Sequence, residues 1–373
     1  MTKKVRNLMD KLVLRETLEQ AADDALDALN DKDIWYARKF KRHRKESLDK
    51  IQNMLILGIY PKKVYKSVEI QTDNKTRVIT PEHFDPWNIV SHALKIVLEP
   101  ISERVLIDNS SAGRKGKGQV YGALRVQKFI KKNKNFTHYG SGDIRKFYPS
   151  MPHSVVIYVL KRYIDDDLFI DCVKHVILDY ESDIEPVLIK EHERKLKFCN
   201  WASNTPLGHI GEKRGITLGN SVGQMIGNLA LSIVDRKMTQ IEHAKGYHRH
   251  CDDITFFAES KERAIYLLTK LDIYCNELGV CLKASSFIAP LPDERKGIVG
   301  RELDFIGWKY TRDTMLIRKR TKNKSFRAFT RVKSRRRRQE LIGAYYGIYK
   351  WGNCKRLWKT IIYKDKIKKG DEL

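Results

Sequence analysis

Residues 247–257 read Tyr-His-Arg-His-Cys-Asp-Asp-Ile-Thr-Phe-Phe, an acidic pair set between two short runs of strand-forming residues. Aromatic and β-branched side chains favour strands and Asp is depleted in them. The stretch therefore predicts a hairpin with Asp252 and Asp253 at its tip. Carboxylates held that close repel each other unless a cation sits between them. Mg²⁺ suits that place, because it takes oxygen ligands and keeps substrate phosphates in its shell. The hairpin points to phosphoryl-transfer chemistry.

A second acidic element lies upstream, His-Tyr-Gly-Ser-Gly-Asp-Ile-Arg-Lys-Phe-Tyr-Pro-Ser over residues 138–150. Asp143 precedes two aromatics, which suits a strand passing into a helix. A two-metal phosphoryl-transfer site needs carboxylates from separate segments, holding ions about 4 Å apart. Asp143, Asp252 and Asp253 supply that set if their two strands are neighbours.

Composition agrees with a nucleic-acid enzyme. The chain has 373 residues, with 72 Lys and Arg against 46 Asp and Glu, a net charge of +26. A field of that size favours a polyanionic partner, nucleic acid before anionic membrane. No apolar run is long enough to span a bilayer, and the basic N-terminus leads into an amphipathic helix rather than a signal-peptide core. Cytoplasmic residence is the default expectation. Six scattered cysteines without a C-x-x-C pair support neither a zinc site nor a disulfide framework.

Periodicity predicts helices over residues 5–57 and a hairpin over 64–80 that turns at Asp73-Asn74-Lys75. A helix opened by Asp85-Pro86 stops at Pro100. The basic glycine loop 113–118 lacks the spacing of a nucleotide-binding P-loop and leads into a helix over 120–132. Helices are expected over 152–165, 167–180, 220–243 and 260–278, with 184–215 irregular. Strands occupy 303–320, and the last fifty residues are helical and very basic, including Arg335 to Arg338. His243, His248 and His250 read as strand and hairpin residues rather than metal ligands.

The order of three elements carries a family resemblance. Asp143-x-x-x-Phe147-Tyr148 is followed by Gly215-Ile-Thr-Leu-Gly219-Asn-Ser-Val-Gly-Gln224 and then by Asp252-Asp253. This order resembles the palm of reverse transcriptases. Leu303-Asp-Phe-Ile-Gly307-Trp looks like that family's primer-grip turn; Arg77-Val-Ile-Thr-Pro and Ser91-His-Ala-Leu resemble bacterial fingers segments. The resemblance spans roughly residues 60 to 310. It implies an α+β right-hand polymerase fold with fingers, a palm built on an antiparallel sheet, and a helical thumb. The segments would be an N-terminal helical extension at 1–60, fingers at 61–137, a palm at 138–310 with an insertion at 166–214, and a basic thumb at 311–373.

The resemblance implies an RNA-directed DNA polymerase, a nucleotidyltransferase that uses two Mg²⁺ ions, with Mn²⁺ a possible substitute. Asp143, Asp252 and Asp253 match the metal-binding catalytic carboxylates, with the Ile144 carbonyl a further ligand. Tyr148 matches an aromatic gate against the sugar 2′-hydroxyl, Arg77 a clamp on the triphosphate, and Gly219 and Gln224 the element beside template base and nucleotide. Arg114, Lys115, Lys117 and Arg335, Arg336, Arg337 and Arg338 are expected on nucleic-acid phosphates. Partners would be a structured non-coding RNA template, a primer or cDNA, dNTPs and a small accessory protein, with no membrane.

Departures from the family pattern are His250 where Tyr is usual, and Ser286 near the place of an expected Lys, with Lys283 the closest cation. The turn Leu218-Gly-Asn-Ser-Val-Gly-Gln224 is similar to that of diversity-generating retroelement enzymes, which implies error-prone cDNA synthesis. Retron and antiphage-defence reverse transcriptases share the compact plan, and a polymerase fold without activity is the non-enzymatic alternative.

Overall fold

Apolar and aromatic residues on both sides of the Cys251–Asp252 tip fold the acidic stretch into an antiparallel hairpin, and the chain is arranged in two compact units. The computed structural model describes residues 3–61, 63, 68–72, 75–79, 82–217, 219–220 and 222–368, by backbone alone at 68, 70–72, 75–79 and 363–368. One unit comprises residues 1–107, 144–237 and 271–284; the other comprises 108–143, 238–270 and 285–373.

From the N-terminus run helices α1 (Leu8–Leu12), α2 (Arg15–Asp27), α3 (Trp35–Arg42) and α4 (Arg44–Leu57), then the hairpin of β1 (Val68–Thr72) and β2 (Lys75–Ile79). Helices α5 (Ile89–Val105) and α6 (Gln119–Lys132) precede strand β3 (His138–Asp143). Next come α7 (Phe147–Ser150), α8 (His153–Tyr163), α9 (Asp167–Ile177), α10 (Glu185–Phe198) and α11 (Gly223–Arg236). The acidic hairpin is β4 (Lys245–His250) and β5 (Asp253–Ala258), followed by α12 (Lys261–Glu277) and β6 (Phe287–Pro290). Three short strands, β7 (Leu303–Phe305), β8 (Trp308–Tyr310) and β9 (Met315–Ile317), lead to α13 (Lys319–Arg331), α14 (Arg335–Tyr349) and α15 (Lys355–Lys368).

The first unit is built around α5, which packs on α1, α2, α9 and α11. α5 differs from expectation: it runs through Pro100 to Val105. A proline inside a helix forfeits a backbone hydrogen bond; here Leu98, Ile101 and Val105 are buried around it, and that packing carries the helix past the break.

Residues 184–215 are not irregular throughout, because α10 fills 185–198. Its inward face is polar, which hides it from a search for apolar periodicity: Leu188, Glu191 and Lys195 are its buried residues. Lys195 and Asp272 are fully buried and ion-paired. Asn276 Oδ1 accepts from Lys195 at 3.2 Å, and Ser203 donates to Asp272 from its backbone N–H at 3.0 Å and its hydroxyl at 3.1 Å. The loop beyond is gathered by buried Arg214, which donates to the carbonyls of Ser150, Gly208, His209 and Gly279.

The second unit holds a four-stranded antiparallel sheet in the order β4-β5-β3-β6 and a three-stranded sheet β7-β8-β9. β3 is a poor strand former by composition, with two glycines in six residues. Gly140 has a steric reason: a Cβ there would lie 2.2 Å from the Phe256 ring, so the aromatic occupies the space a side chain would need. Tyr139 and Phe257 join α6 residues Ala123, Val126 and Ile130 in the core of this unit. The free edge of β4 is covered by residues 109–111: Arg249 donates to the Asn109 carbonyl and Ser111 donates to the Arg249 carbonyl, both at 3.0 Å. Covering an edge removes a template for stray pairing.

Removing one partner of a buried ion pair strands the other charge, at a cost of about 3–5 kcal/mol, whereas an apolar pair of similar volume is close to neutral. Asp272→Ala should therefore lower the urea-unfolding free energy by about that amount, and the double variant Lys195→Met/Asp272→Leu should recover most of it. A double variant as unstable as the single one would show that the hydrogen bonds, not the charges, hold α10.

Candidate active site

The register of the central sheet sets Asp143 directly opposite Asp253. Directly paired residues in an antiparallel ladder project from the same face, with Cα atoms about 4.5–5.5 Å apart. Asp252 occupies the tip beside them, and His250 is the β4 partner of Asp253. All three aspartates are half-buried. The ladder thus sets Asp143 and Asp253 opposite each other, with Asp252 next along the chain at the tip.

The face that carries them changes character along its length. Tyr139 pairs with Phe257, Ser141 with Thr255, and Asp143 with Asp253, an apolar pair, a hydroxyl pair and an acidic pair in succession. The apolar end is tied into the core, so the acidic end inherits a fixed position. Thr255 Oγ1 donates to the Gly140 carbonyl at 2.9 Å, and the Asp143 N–H donates to Ser286 Oγ at 3.3 Å. Ser286, near the expected place of a family lysine, therefore supports the Asp143 backbone.

Histidines line the β4 side. Ser111 Oγ lies 3.1 Å from His248 Nε2 and 3.0 Å from His250 Nδ1. Burial first, then the charges of His250, Arg125 and Arg249, push His248 down to about 3. Burial and Arg249 also hold His250 below the usual imidazole range. Both rings are thereby biased to neutrality, and His250 brings no cation to the aspartate opposite it. α6 closes on this side because residue 122 is glycine: a Cβ there would meet His248, Ile306 and Ser111 at 2.7–2.8 Å. The pattern marks the histidines as strand and hairpin residues, while the serine that joins them, 137 positions before His248, has no sequence signal.

The donor set consists of hard carboxylate oxygens, which suits Mg²⁺. Among the described residues no three His, Cys, Asp or Glu side chains converge as they stand on a point that could hold a metal ion. Mg²⁺ is commonly held by one or two carboxylates with substrate phosphates completing its shell, so these residues fit an ion shared with substrate.

Ile144, Tyr148, Gly219 and Gln224 belong to the first unit. Ile144 is fully buried and bridges Leu282. Tyr148 follows a left-handed turn at Lys146; its ring lies 5.1 Å from that of Phe147, and its carbonyl accepts from the Ile216 N–H at 2.9 Å. Gly227 lets this aromatic pair sit on α11, since a Cβ there would come 2.9 Å from Phe147. Gln224 is half-buried in the first turn of α11, and Gly219 is exposed at φ 115°. Arg77 is placed on β2 opposite Ile70 by its backbone; its side chain lies outside the described residues, as do Asp73, Asn74, Leu218 and Ser221.

The basic residues divide. Arg114 is buried, donating to the Ser110 carbonyl at 2.8 Å. Lys117 pairs with Asp108 at 2.9 Å, and Lys115 is exposed. Arg335 to Arg337 are exposed on α14 and Arg338 is half-buried; Arg336 and Arg337 pair with Glu340.

No family model matches the chain, and no curated protein matches it. Among solved structures, a telomerase from Candida albicans in complex with a TWJ fragment of telomeric RNA gives a TM-score of 0.46 at 10% identity, over 82% of this chain and 55% of that one. An apo telomerase from Candida tropicalis gives 0.44 at 11% identity, over 74% and 54%. The chain spans about half the length of these structures, and likenesses this distant carry no function. No helix among the described residues is long and apolar enough to cross a membrane.

Two measurements address the site. An unfolded histidine titrates near 6.5 and His248 near 3. Between those values the unfolded chain binds more protons, so stability falls as pH drops, by up to about 1.4 kcal/mol per unit. His248→Gln, which can still bond to Ser111, should flatten the acid limb of the stability–pH curve by that slope. An unchanged limb would mean that His248 is protonated in the fold. Secondly, Mg²⁺ should raise the thermal midpoint of the wild-type chain more than that of Asp253→Asn; at 100 times its Kd one bound ion adds about 2.7 kcal/mol. Equal shifts would place the ion elsewhere.

Proposed function

We propose that the chain is an RNA-directed DNA polymerase that extends a primer by nucleotidyl transfer. The observation that carries the reading is the pairing of Asp143 with Asp253 across adjacent strands, with Asp252 at the turn beside them. Carboxylates from separate segments set on one sheet face suit the binding of ions that assist phosphoryl transfer.

Asp143, Asp252 and Asp253 would hold the ions, with the Ile144 carbonyl a further donor. Bound Mg²⁺ would supply Lewis acidity toward the primer 3′-hydroxyl and the dNTP phosphates. The ladder keeps the carboxylates in one place, so little reorganisation accompanies the reaction. The Tyr148 ring, in the gate position of the resemblance, would exclude a ribose 2′-oxygen by contact. Arg77 would clamp the triphosphate, since a guanidinium fork matches phosphate oxygens. The exposed arginines of α14 would hold the backbone of the duplex without reading its sequence.

In this reading residues 61–137 act as fingers, 138–310 as palm and 311–373 as thumb. The Leu218–Gln224 turn supports a setting in a diversity-generating retroelement, with a structured RNA as template, a small accessory protein and error-prone synthesis.

The purified chain with a primed RNA template, dNTPs and Mg²⁺ should extend the primer. Asp252→Asn and Asp253→Asn should each lower the rate at least about 10³-fold, a loss of about 4 kcal/mol of transition-state stabilisation. Tyr148→Ala should keep dNTP use and gain NTP incorporation. Extension unchanged in both aspartate variants would remove the reading.

A further inference from the structure

The first unit contains a cavity of about 630 Å³ that lies outside the carboxylate site, within the size range of small-ligand pockets. Part of its wall is a polar and aromatic row: Trp35 and Lys39 on α3, His43 at the junction with α4, and Ser47 on α4 recur every four residues, and all four line it. Residues four apart on a helix share a face. Tyr36, Phe40, Phe84 and Gly219 are among the other residues that line it.

The stripe is unlike a core face. Ala37 and Phe40 are the buried residues of α3, so its apolar side is already turned inward. Trp35 is 67% exposed and stands edge-on to Tyr36, ring centroids 5.7 Å apart. Behind it the aromatics are braced: Tyr36 and Phe40 lie 5.7 and 5.3 Å from Phe84. A large exposed ring on a rigid aromatic backing is a stacking platform that leaves apolar surface in water until something flat covers it. Lys39 lies one turn away, and Arg38, Lys41 and Arg42 on the same helix are exposed. Of the acids at the cavity, Glu82 is paired with Lys63 at 2.8 Å, while Asp85 is exposed at the rim.

We propose that this cavity takes an unpaired base of single-stranded nucleic acid, stacked on Trp35, with the flanking phosphates on Lys39 and the exposed cations of α3. Aromatic rings interleaved with cations are the general device for gripping single strands, because every base has a π-face and every linkage a charge. A duplex offers no free base face and is excluded from the cavity. An anionic membrane surface fits less well. An interfacial helix presents its apolar face outward, whereas that face of α3 is buried. Gly219 in the wall belongs to the turn that the family resemblance implies beside template and nucleotide, yet base binding here does not require catalysis.

The test uses the full chain, wild type and Asp252→Asn, so that failure of binding is separable from failure of polymerisation. A 12-nucleotide single-stranded RNA with photoreactive bases should cross-link to the peptide containing Trp35 in both proteins, and a duplex of the same sequence should not. Trp35→Ala should weaken single-strand binding about five- to a hundredfold with an unchanged thermal midpoint, since the ring is exposed. Trp35→Phe should retain most of the affinity, and Lys39→Glu should lower it and its dependence on salt. The proposal is overturned by equal binding of strand and duplex, by cross-links confined to other segments, or by full affinity in Trp35→Ala. Binding of phosphatidylserine vesicles that depends on Trp35 while RNA binding does not would overturn it as well.

Discussion

Everything at the candidate site depends on one unfavourable contact, two aspartates set directly opposite each other in an antiparallel ladder. Like charges in that position destabilise a sheet, so the register has to be held from elsewhere. A slip by one residue would turn every side chain to the other face, driving Tyr139 and Phe257 out of the core and Asp143 and Asp253 off the shared face. The burial of that aromatic pair is what opposes the slip, at about 1.5–3 kcal/mol for each large apolar side chain. Phe256 filling the space above Gly140 and Thr255 bonded to the Gly140 carbonyl fix the same register by shape and by hydrogen bonding. The apolar end of the sheet thus supports the charged end.

The same logic explains which parts of the structure were legible in the sequence. The acidic hairpin was, because alternation and turn chemistry are local and Asp is conspicuous among strand formers. The partnership of Asp143 with that hairpin was legible from motif order, while its register was not; register depends on what Gly140 and Phe256 do to each other across the ladder. α10 was missed because its buried face is Leu188, Glu191 and Lys195, and a polar inward face makes no apolar periodicity. Pro100 misled in the opposite direction, since the packing of Leu98, Ile101 and Val105 overrides a local break. Arg114 illustrates a third limit: among basic loop residues, composition cannot tell the one that folds inward onto Ser110 from exposed Lys115.

Each unit contains a network of buried polar groups. In the first unit Lys195, Asp272, Asn276 and Ser203 form a closed network, each member satisfied by another. In the second, Ser111 joins two neutral histidines beside the acidic pair. Such networks contribute little net stability compared with apolar packing, and they are costly when one member is removed. What they add is specificity of arrangement. Neutral histidines beside the aspartates leave the charge of the site to be set by what binds there, because a protonated His250 would partly cancel the carboxylate opposite it.

Among the described residues, two tight hairpin tips carry strained backbone. Cys251, at the acidic tip, has φ 56°, and Ile306, at the tip between β7 and β8, has φ 41°. Left-handed backbone is easy for glycine and disfavoured for a β-branched residue, at a cost of order 1–3 kcal/mol that persists only where surroundings enforce it. The enforcement at Ile306 is visible: its side chain is 4% exposed within the core, and its carbonyl accepts from Gln119 Nε2 at 3.0 Å. Gly307 completes the turn at φ 95°, the residue type that a two-residue hairpin with positive φ at both positions demands. At Cys251 the carbonyl accepts from Arg249 Nη1 at 3.0 Å, and Arg249 is itself fixed between Asn109 and Ser111. Each strained tip is therefore anchored to the segment around α6, Gln119 in one case and residues 109–111 in the other. One short stretch of chain before β3 holds both turns, and with them the acidic tip and the hairpin that resembles a primer grip.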